Sequence, residues 1–123
     1  MRDQWDAALD AVDVAARNST PDPYFDFLRA NIMLSAGRLS EAEAAARTAT
    51  TKDPDLEDGW WALLDSLIKQ RNYDEASTVI LEIERRFAFG FDFEAAPEYD
   101  DFRQSEAYAE LQKTWAASAG TAK

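Results

Sequence analysis

Carboxylates are the side chains of this sequence with the widest range of chemistry. The chain has 24 aspartates and glutamates, 13 lysines and arginines, and neither histidine nor cysteine. Paired carboxylates alone can hydrolyse glycosides, whereas nucleophilic triads, thiol chemistry and Cys/His zinc sites need residues that are absent. The acids fall at predicted helix starts and outward faces, where negative charge stabilises helices. We therefore expect no enzyme activity, no catalytic residue and no cofactor.

One acidic cluster near the C-terminus is a candidate for a metal site. It comprises Asp92, Glu94, Glu98, Asp100 and Asp101. Calcium prefers oxygen ligands, but a calcium-binding loop needs regularly alternating acids around a central glycine. Because this spacing lacks both features, we interpret the cluster as solvated surface and predict no metal site.

The net charge of −11 restricts the class of partner. A chain this acidic repels phosphate backbones, so we expect no nucleic-acid binding. Basic or apolar peptides and protein surfaces remain suitable partners, although excess acid also simply keeps proteins soluble. No apolar run reaches the length of a membrane span, so we expect no membrane insertion. The composition is compatible with a cytoplasmic or a periplasmic location.

The helices that position these side chains are predicted from a sequence repeat of 34 positions. Residues 5–8, 39–42 and 73–76 fall in register, and Ala15, Ala49 and Ile83 follow at a common offset. Helical sequence with such a period is typical of helix-turn-helix solenoids, in which no unit buries its apolar face alone.

Five helices are predicted between residues 3 and 87, each from apolar spacing and a start signal. Asp22 and Pro23 begin the second helix, and Gly37 ends it. Ser40 with Glu43 suggests a capping box for the third. The caps predicted for the fourth and fifth helices are Asp55 and Asp74, and Asn72 is expected to take the left-handed turn that Gly37 takes one repeat earlier.

The pattern resembles the tetratricopeptide repeat over roughly residues 3 to 87. The best-matched positions are Trp60, Leu63, Leu64, Leu67, Tyr73, Ala76, Ile80 and Ile83, with Pro54 closing the first full repeat and Ala42 in a small-residue slot. The sequence departs from the motif where Asp26 and Arg29 take the tryptophan and leucine slots and Arg71 replaces a glycine. The resemblance implies a half repeat over 3–22, repeats over 23–56 and 57–90, and a C-terminal cap over 91–123, all in one domain.

The segment after Phe87 loses the period. Phe87, Phe89, Phe91 and Phe93 alternate with other residues, which favours extended chain. Pro97 is expected to start a helical turn, and Ser105 to cap a last helix carrying Tyr108, Leu111 and Trp115 on one face. We interpret this aromatic segment as the cap of the solenoid. The alternative is an edge strand that pairs elsewhere.

The fourth helix carries two apolar stripes. Trp60, Leu63, Leu64 and Leu67 form a core stripe at helical spacing. Trp61 and Ile68 lie about 100° around the helix from that stripe. A second stripe must face another helix or a ligand, and the resemblance places it on the concave face of the array.

The candidate partner-binding residues follow from this second stripe. They are Tyr24, Phe27, Asn31, Leu34, Asp58, Trp61, Asp65, Ile68 and Lys69. Aromatic anchors with a mostly acidic border suit a peptide with apolar and basic groups. The alternative is that the terminal helix fills this groove. Binding of chaperone C-termini is not expected, because Phe27, Asp58 and Trp61 stand where the carboxylate-clamp members of the family need asparagine or cations.

The sequence thus predicts an all-α, right-handed α-solenoid of about six to seven helices. The expected function is a protein-protein interaction module, an adaptor or scaffold within a larger protein. The chain begins on the second helix of a repeat, which favours truncation from a longer chain over an exposed face covered by another chain. The alternative function is a structural self-association domain that stacks through exposed solenoid ends into a homo-oligomer.

Overall fold

A computed structural model describes residues 4–18, 22–88, 93 and 96–121, and within these ranges the chain is helical with no strand. Seven α-helices are present in this part. They are α1 (Gln4–Arg17), α2 (Pro23–Ser35), α3 (Leu39–Lys52), α4 (Glu57–Lys69), α5 (Tyr73–Phe87), α6 (Asp100–Arg103) and α7 (Glu106–Thr121), with a 3₁₀ turn at Pro97–Tyr99.

The chain divides into two compact units, Met1–Gln70 and Arg71–Lys123. The N-terminal unit contains α1 to α4, and the C-terminal unit contains α5 to α7. None of the helices in the described ranges is both long enough and apolar enough to cross a membrane.

Small side chains set the packing of the N-terminal unit. α2 packs on α1, α3 and α4, and α3 also packs on α4. Ala30, Ala42, Ala46 and Ala49 are completely buried. A Cβ atom added to Gly59 of α4 would lie 3.3 Å from Thr50 Cγ2 of α3. Alanine and glycine at these positions therefore let the helices approach closely.

The predicted ends of α2 are confirmed. Asp22 is the N-cap, since its carboxylate accepts from the Tyr24 N–H at 2.9 Å, and Pro23 occupies the first turn. At the other end Gly37 has φ +78°. The N–H groups of Gly37 and Arg38 donate to the carbonyls of Leu34 and Met33, which is the Schellman pattern.

Three other predicted caps are wrong. α3 begins at Leu39, so Ser40 lies inside its first turn, and Arg38 is the N-cap. α4 has Leu56 rather than Asp55 at its N-cap, and the N-cap residue makes no side-chain hydrogen bond to the helix backbone. α5 begins at Tyr73, so Asp74 lies within the helix. Serine and aspartate favour helix N-termini generally, but here they lie one or two residues from the true boundaries.

The left-handed turn before α5 is also not at the expected residue. Asn72 is the N-cap of α5 with φ −89°, whereas Arg71 has φ +62°. Arg71 lies 34 positions after Gly37, so the left-handed turn recurs at the same position of the period although the residue there is arginine.

A network of charged side chains joins three helices of the N-terminal unit. Asp26 on α2 is 7% exposed. Its two carboxylate oxygens accept from Arg29 Nη1 and Lys52 Nζ, each at 3.0 Å. Arg29 Nε also donates to Asp13 of α1 at 2.8 Å. Asp26 and Arg29, polar residues at positions where the sequence resemblance calls for apolar ones, therefore make polar contacts between helices.

Aromatic side chains form the core of the C-terminal unit. Phe102 is fully buried and Phe93 is 3% exposed. The ring centroid of Phe93 lies 4.8 Å from that of Tyr99 and 5.9 Å from that of Tyr108, and its ring stacks on Trp115 at 6.2 Å. These contacts explain the aromatic content of the segment.

The local predictions for this segment are partly confirmed. Ser105 Oγ accepts from the Tyr108 N–H at 3.1 Å, as expected of the cap of α7, and Pro97 begins a 3₁₀ turn. The prediction of extended chain from Phe87 is wrong at both described ends. Phe87 completes α5, and Phe93 has 3₁₀ geometry. Phe89 and Phe91 lie outside the described residues.

Candidate functional site

The candidate partner-binding residues all fall in the N-terminal unit, on two helices that pack together. α2 carries Tyr24, Phe27, Asn31 and Leu34, and α4 carries Asp58, Trp61, Asp65, Ile68 and Lys69. We call these nine residues the α2–α4 face. Side chains spaced by three or four residues share one side of a helix.

The exposed aromatic part of this face begins at the N-terminal end of α2. Tyr24 is 44% exposed, and Phe27 is half-buried. Their ring centroids lie 5.3 Å apart with the planes tilted by 45°. Because Phe27 supports Tyr24, this pair offers a preformed aromatic surface that loses little side-chain entropy on binding.

Trp61 is the aromatic residue that α4 contributes. It is half-buried, and its indole N–H donates to Glu57 Oε1 of the same helix at 3.1 Å. A hydrogen bond one turn away holds the indole orientation, while part of the ring stays accessible. Tryptophan and tyrosine in this state are the residue types most enriched among binding hot spots.

The two aliphatic members of the face are largely covered. Leu34 is 8% exposed and Ile68 is 7% exposed. They offer little surface, so the accessible part of the face consists of its aromatic and polar side chains. The sequence pattern did not separate these buried members from the accessible ones.

The polar members are accessible, and two of the four are acidic. Asn31, Asp58 and Lys69 are exposed, and Asp65 pairs with Lys69 at 3.3 Å. Asp58 forms no ion pair with any residue that the structure describes. Lys69, the only cation among the nine residues, is thus already paired with Asp65. Asp58 then gives the α2–α4 face a net negative charge.

Trp60 differs from the rest of its predicted core stripe. Leu63, Leu64 and Leu67 are at most 2% exposed, whereas Trp60 is only half-buried. Its indole N–H donates to the carbonyl of Pro54 at 2.8 Å. Trp60 therefore fastens the loop between α3 and α4 instead of filling the deepest part of the core.

The terminal-helix residues expected to fill the groove make contacts within their own unit. Tyr108 packs edge-on against Phe102 with centroids 5.3 Å apart, and Leu111 is buried. Trp115 Nε1 donates to both carboxylate oxygens of Glu84, at 2.8 and 3.1 Å. These contacts lie on the apolar side of α7 and belong to the C-terminal unit itself.

Several carboxylates have shifted proton affinities, and each shift has a local cause. Hydrogen bonds from Arg47 and then Gln70 lower the pKa of Glu43. The hydrogen bond from Arg85 is the largest cause that lowers the pKa of Glu82. Burial raises the pKa of Glu84, and the Trp115 hydrogen bond opposes it. None of these three residues belongs to the α2–α4 face.

Within the described ranges no group of three or more acidic side chains is arranged to hold a metal ion. The acidic cluster from Asp92 to Asp101 lies partly outside those ranges, since Asp92 and Glu94 are not among the described residues. Comparisons with protein-family models, with curated proteins and with solved structures found no match to the chain.

Proposed function

We propose that this chain is a protein-protein interaction module, an adaptor or scaffold, that binds a partner segment on the α2–α4 face. The observation that carries the proposal is the presence of accessible aromatic side chains on two helices that pack together, the Tyr24–Phe27 pair on α2 and Trp61 on α4, which also carries acidic side chains. Solvent-accessible aromatic anchors with a polar border are the composition of binding hot spots.

The proposal includes the finer architecture, a right-handed solenoid of tetratricopeptide type with a C-terminal cap. The support is the period of 34 positions together with the burial of equivalent side chains. Ala42 and Ala76 are both completely buried, and so are Ala49 and Ile83. Side chains at the same register are thus used in the same way on α3 and α5.

The partner that suits this face is an extended or helical segment with apolar and basic side chains. Its apolar groups pack on Tyr24 and Trp61, which supply most of the affinity, and its cations meet Asp58, the acid of the face that has no cation beside it among the described residues. Such rim charges act mainly on association rate and specificity. Binding should therefore weaken as salt rises, because the Debye length falls from about 10 Å at 0.1 M to about 3 Å at 1 M.

A peptide selection tests the proposal and does not require the partner to be identified first. Phage-displayed random 12-residue peptides are selected on the immobilised chain, and synthetic forms of enriched clones are titrated against Trp61→Ala and Trp60→Ala. We expect enriched peptides to carry basic and apolar residues, and Trp61→Ala to weaken binding about tenfold or more.

Thermal melts of the two variants provide the control. Trp60→Ala should lower the melting temperature because it removes the bond to Pro54, and Trp61→Ala should lower it less. The proposal fails if no peptide is enriched, if Trp61→Ala binds like the original chain, or if both variants are equally destabilised.

A second candidate function, self-association, is favoured by the state of α1. The stripe that is buried on α3 at Ala42, Ala46, Ala49 and Thr50 corresponds on α1 to positions that are not buried. These are Ala8, Val12, Ala15 and Ala16, of which Ala15 is exposed. A second copy would cover this stripe. Sedimentation over a wide concentration range separates the candidates, since an adaptor stays monomeric and a stacking unit does not.

A further inference from the structure

A cleft lies between α5 and α7 of the C-terminal unit. The two helices run in the same direction, because Ser77 Oγ lies 3.5 Å from the Ala107 carbonyl and Trp115 Nε1 lies 2.8 Å from Glu84 further along both helices. The cleft has a volume of about 280 Å³. Sites for whole small molecules start at roughly 300 Å³, so this cleft has the size for one or two side chains.

One wall of the cleft is apolar. Leu111 and Ala107 on α7 are at most 9% exposed, and Leu81 on α5 is 37% exposed. Within the part of the chain that the structure describes, the exposed large hydrophobic side chains are those of Val14, Tyr24 and Leu81. Leu81 is the one that belongs to the C-terminal unit, and it borders the cleft.

The rim of the cleft is acidic. Asp74, Glu106 and Glu110 line it. Glu110 pairs with Lys113 at 3.1 Å, whereas Asp74 and Glu106 form no ion pair with any described residue. Asp74 and Glu106 lie in first turns, where negative charge also stabilises the helix. Glu110 lies beyond the first turn of α7, so this structural reason does not account for it.

Each of the three hydroxyl groups of the cleft has a backbone carbonyl to which it donates in this structure. Ser77 donates to the Ala107 carbonyl, Thr78 to the Asp74 carbonyl at 3.4 Å, and Thr114 to the Glu110 carbonyl at 3.1 Å. A hydroxyl whose hydrogen is engaged can still accept through its lone pairs. Together with the carboxylates, the side-chain polar groups that line the cleft can therefore all accept hydrogen bonds, which is the complement of a cation.

A second depression of about 340 Å³ adjoins the first and shares Asp74, Glu106 and Ala107 with it. It continues toward Arg71 and Ser105 at the N-terminal ends of the two helices. The continuous path along α5 and α7 suits several residues of a chain better than a single free amino acid.

From this cleft we infer that the C-terminal unit has its own binding site for a basic, apolar peptide segment. A lysine or arginine side chain of the segment meets the carboxylates and hydroxyl oxygens, and a neighbouring apolar side chain packs on Leu81 and Leu111. A cation that meets several carboxylate and hydroxyl oxygens forms charge-assisted hydrogen bonds, which are stronger than neutral ones. The cleft contains no residue of the α2–α4 face, so this site does not rest on the function proposed for that face.

Amide chemical shifts of the full ¹⁵N-labelled chain test the inference. The probes are acetylated, amidated eight-residue peptides of alternating Lys-Leu, Glu-Leu, Ser-Leu and Lys-Gly. We expect only the Lys-Leu peptide to produce saturable shifts that centre on Ser77, Leu81 and Glu110. Leu81→Ser and Glu110→Gln should each weaken its binding about fivefold or more.

Matched substitutions elsewhere are the controls. Val14→Ser removes another exposed hydrophobic side chain and Glu41→Gln another exposed glutamate, and neither should change binding. Helical circular dichroism of all four variants should match the original chain. If Lys-Gly binds as well as Lys-Leu, only general charge attraction is present and the inference is overturned. Shifts centred on Tyr24 and Trp61 instead also overturn it, while supporting the function proposed for the α2–α4 face.

Discussion

At the scale of single residues, the left-handed backbone at Gly37 and Arg71 is open to a direct test. Arg71 has φ +62° and Gly37 φ +78°, and a Cβ added at Gly37 meets no atom within 4 Å. Left-handed backbone is about 1–2 kcal/mol less favourable for a residue with a side chain than for glycine. The greater freedom of glycine in the unfolded chain offsets part of this difference in stability. We expect Arg71→Gly to stabilise and Gly37→Ala to destabilise, each by about 1 kcal/mol in urea unfolding.

Arg71→Ala separates this backbone effect from the ion pair of Arg71. The pair with Asp101 spans 3.4 Å between exposed side chains and contributes little. Arg71→Ala should therefore resemble the original chain. A gain in stability from Arg71→Ala equal to that from Arg71→Gly would show that the side chain, not the backbone conformation, is the cost.

The raised pKa of Glu84 predicts that its effect on folding stability varies with pH in the opposite sense to that of most carboxylates in folded proteins. Burial raises its pKa in the folded chain above the ordinary value of 4.5. The folded state therefore holds the Glu84 proton more tightly, and ionisation of Glu84 costs stability at neutral pH. That cost disappears as the pH falls through the raised pKa toward 4.5.

Glu84→Gln keeps an acceptor for the Trp115 N–H and removes the charge. We expect the variant to be at least as stable as the original chain at about pH 7, with the difference shrinking as the pH falls toward the ordinary pKa of 4.5. Urea unfolding across this range measures it, and Glu41→Gln, an exposed glutamate, is the control. A variant that is less stable at neutral pH would contradict the prediction.

At the scale of elements, α1 differs from the other helices of its unit. None of its residues is buried. It is tied to its neighbours by the Asp13–Arg29 and Asp6–Arg38 pairs, both at 2.8 Å and both partly exposed. Such pairs contribute roughly 0–1 kcal/mol each, so α1 should open more readily than α3 or α4.

Removing both ion pairs should make α1 alone open more often. In Asp6→Asn/Asp13→Asn we expect amide exchange in α1 to quicken about fivefold, the change that about 1 kcal/mol allows, with α3 and α4 unaffected. Arg47→Gln, which breaks the Arg47–Glu43 pair within α3, is the matched control. Uniformly faster exchange throughout the N-terminal unit would mean that α1 and the other helices open together.

At the scale of the whole molecule, the aromatic cluster decides whether the C-terminal unit is a required part of the fold. Phe102 is fully buried among Phe93, Tyr73 and Tyr108. Loss of such a ring costs about 3–5 kcal/mol, which is comparable with the net stability of many domains, about 5–15 kcal/mol. We expect Phe102→Ala to unfold the C-terminal unit near ordinary temperature, and Phe102→Leu to be milder, as measured by thermal circular dichroism.

Deletion of everything after Phe87 is the stronger form of the same test. It removes α7, which packs on α5 within this unit, together with the buried rings of Phe93 and Phe102. We expect the shortened chain to aggregate or to lose cooperative unfolding, measured by light scattering and thermal circular dichroism. A soluble, helical and cooperatively unfolding product would show that the segment is an accessory element.

The all-helical fold and the places where helices break could be predicted from the sequence because these depend on neighbours in the chain. Spacing of three and four residues defines a helix face, proline fits the first turn of α2, and glycine fits the left-handed turn after it. The small side chains at Ala42 and Ala76 were predictable for the same reason, since the period repeats them. Helix caps were less predictable, because Ser40, Asp55 and Asp74 stand within a residue or two of boundaries that the packing shifts.

The remaining features depend on residues far apart in the chain. Asp26 can be buried because Lys52, 26 positions later in the chain, donates a hydrogen bond to its carboxylate. No local sequence pattern predicts that contact. The burial of Leu34 and Ile68 likewise depends on what covers each helix, and so does the half-exposed state of Trp60. The acceptor-lined cleft exists because α5 and α7 lie parallel with Ser77 beside Ala107, 30 positions away. A helix face is a property of sequence, but whether it is covered, paired or open is decided only when the tertiary structure sets its neighbours.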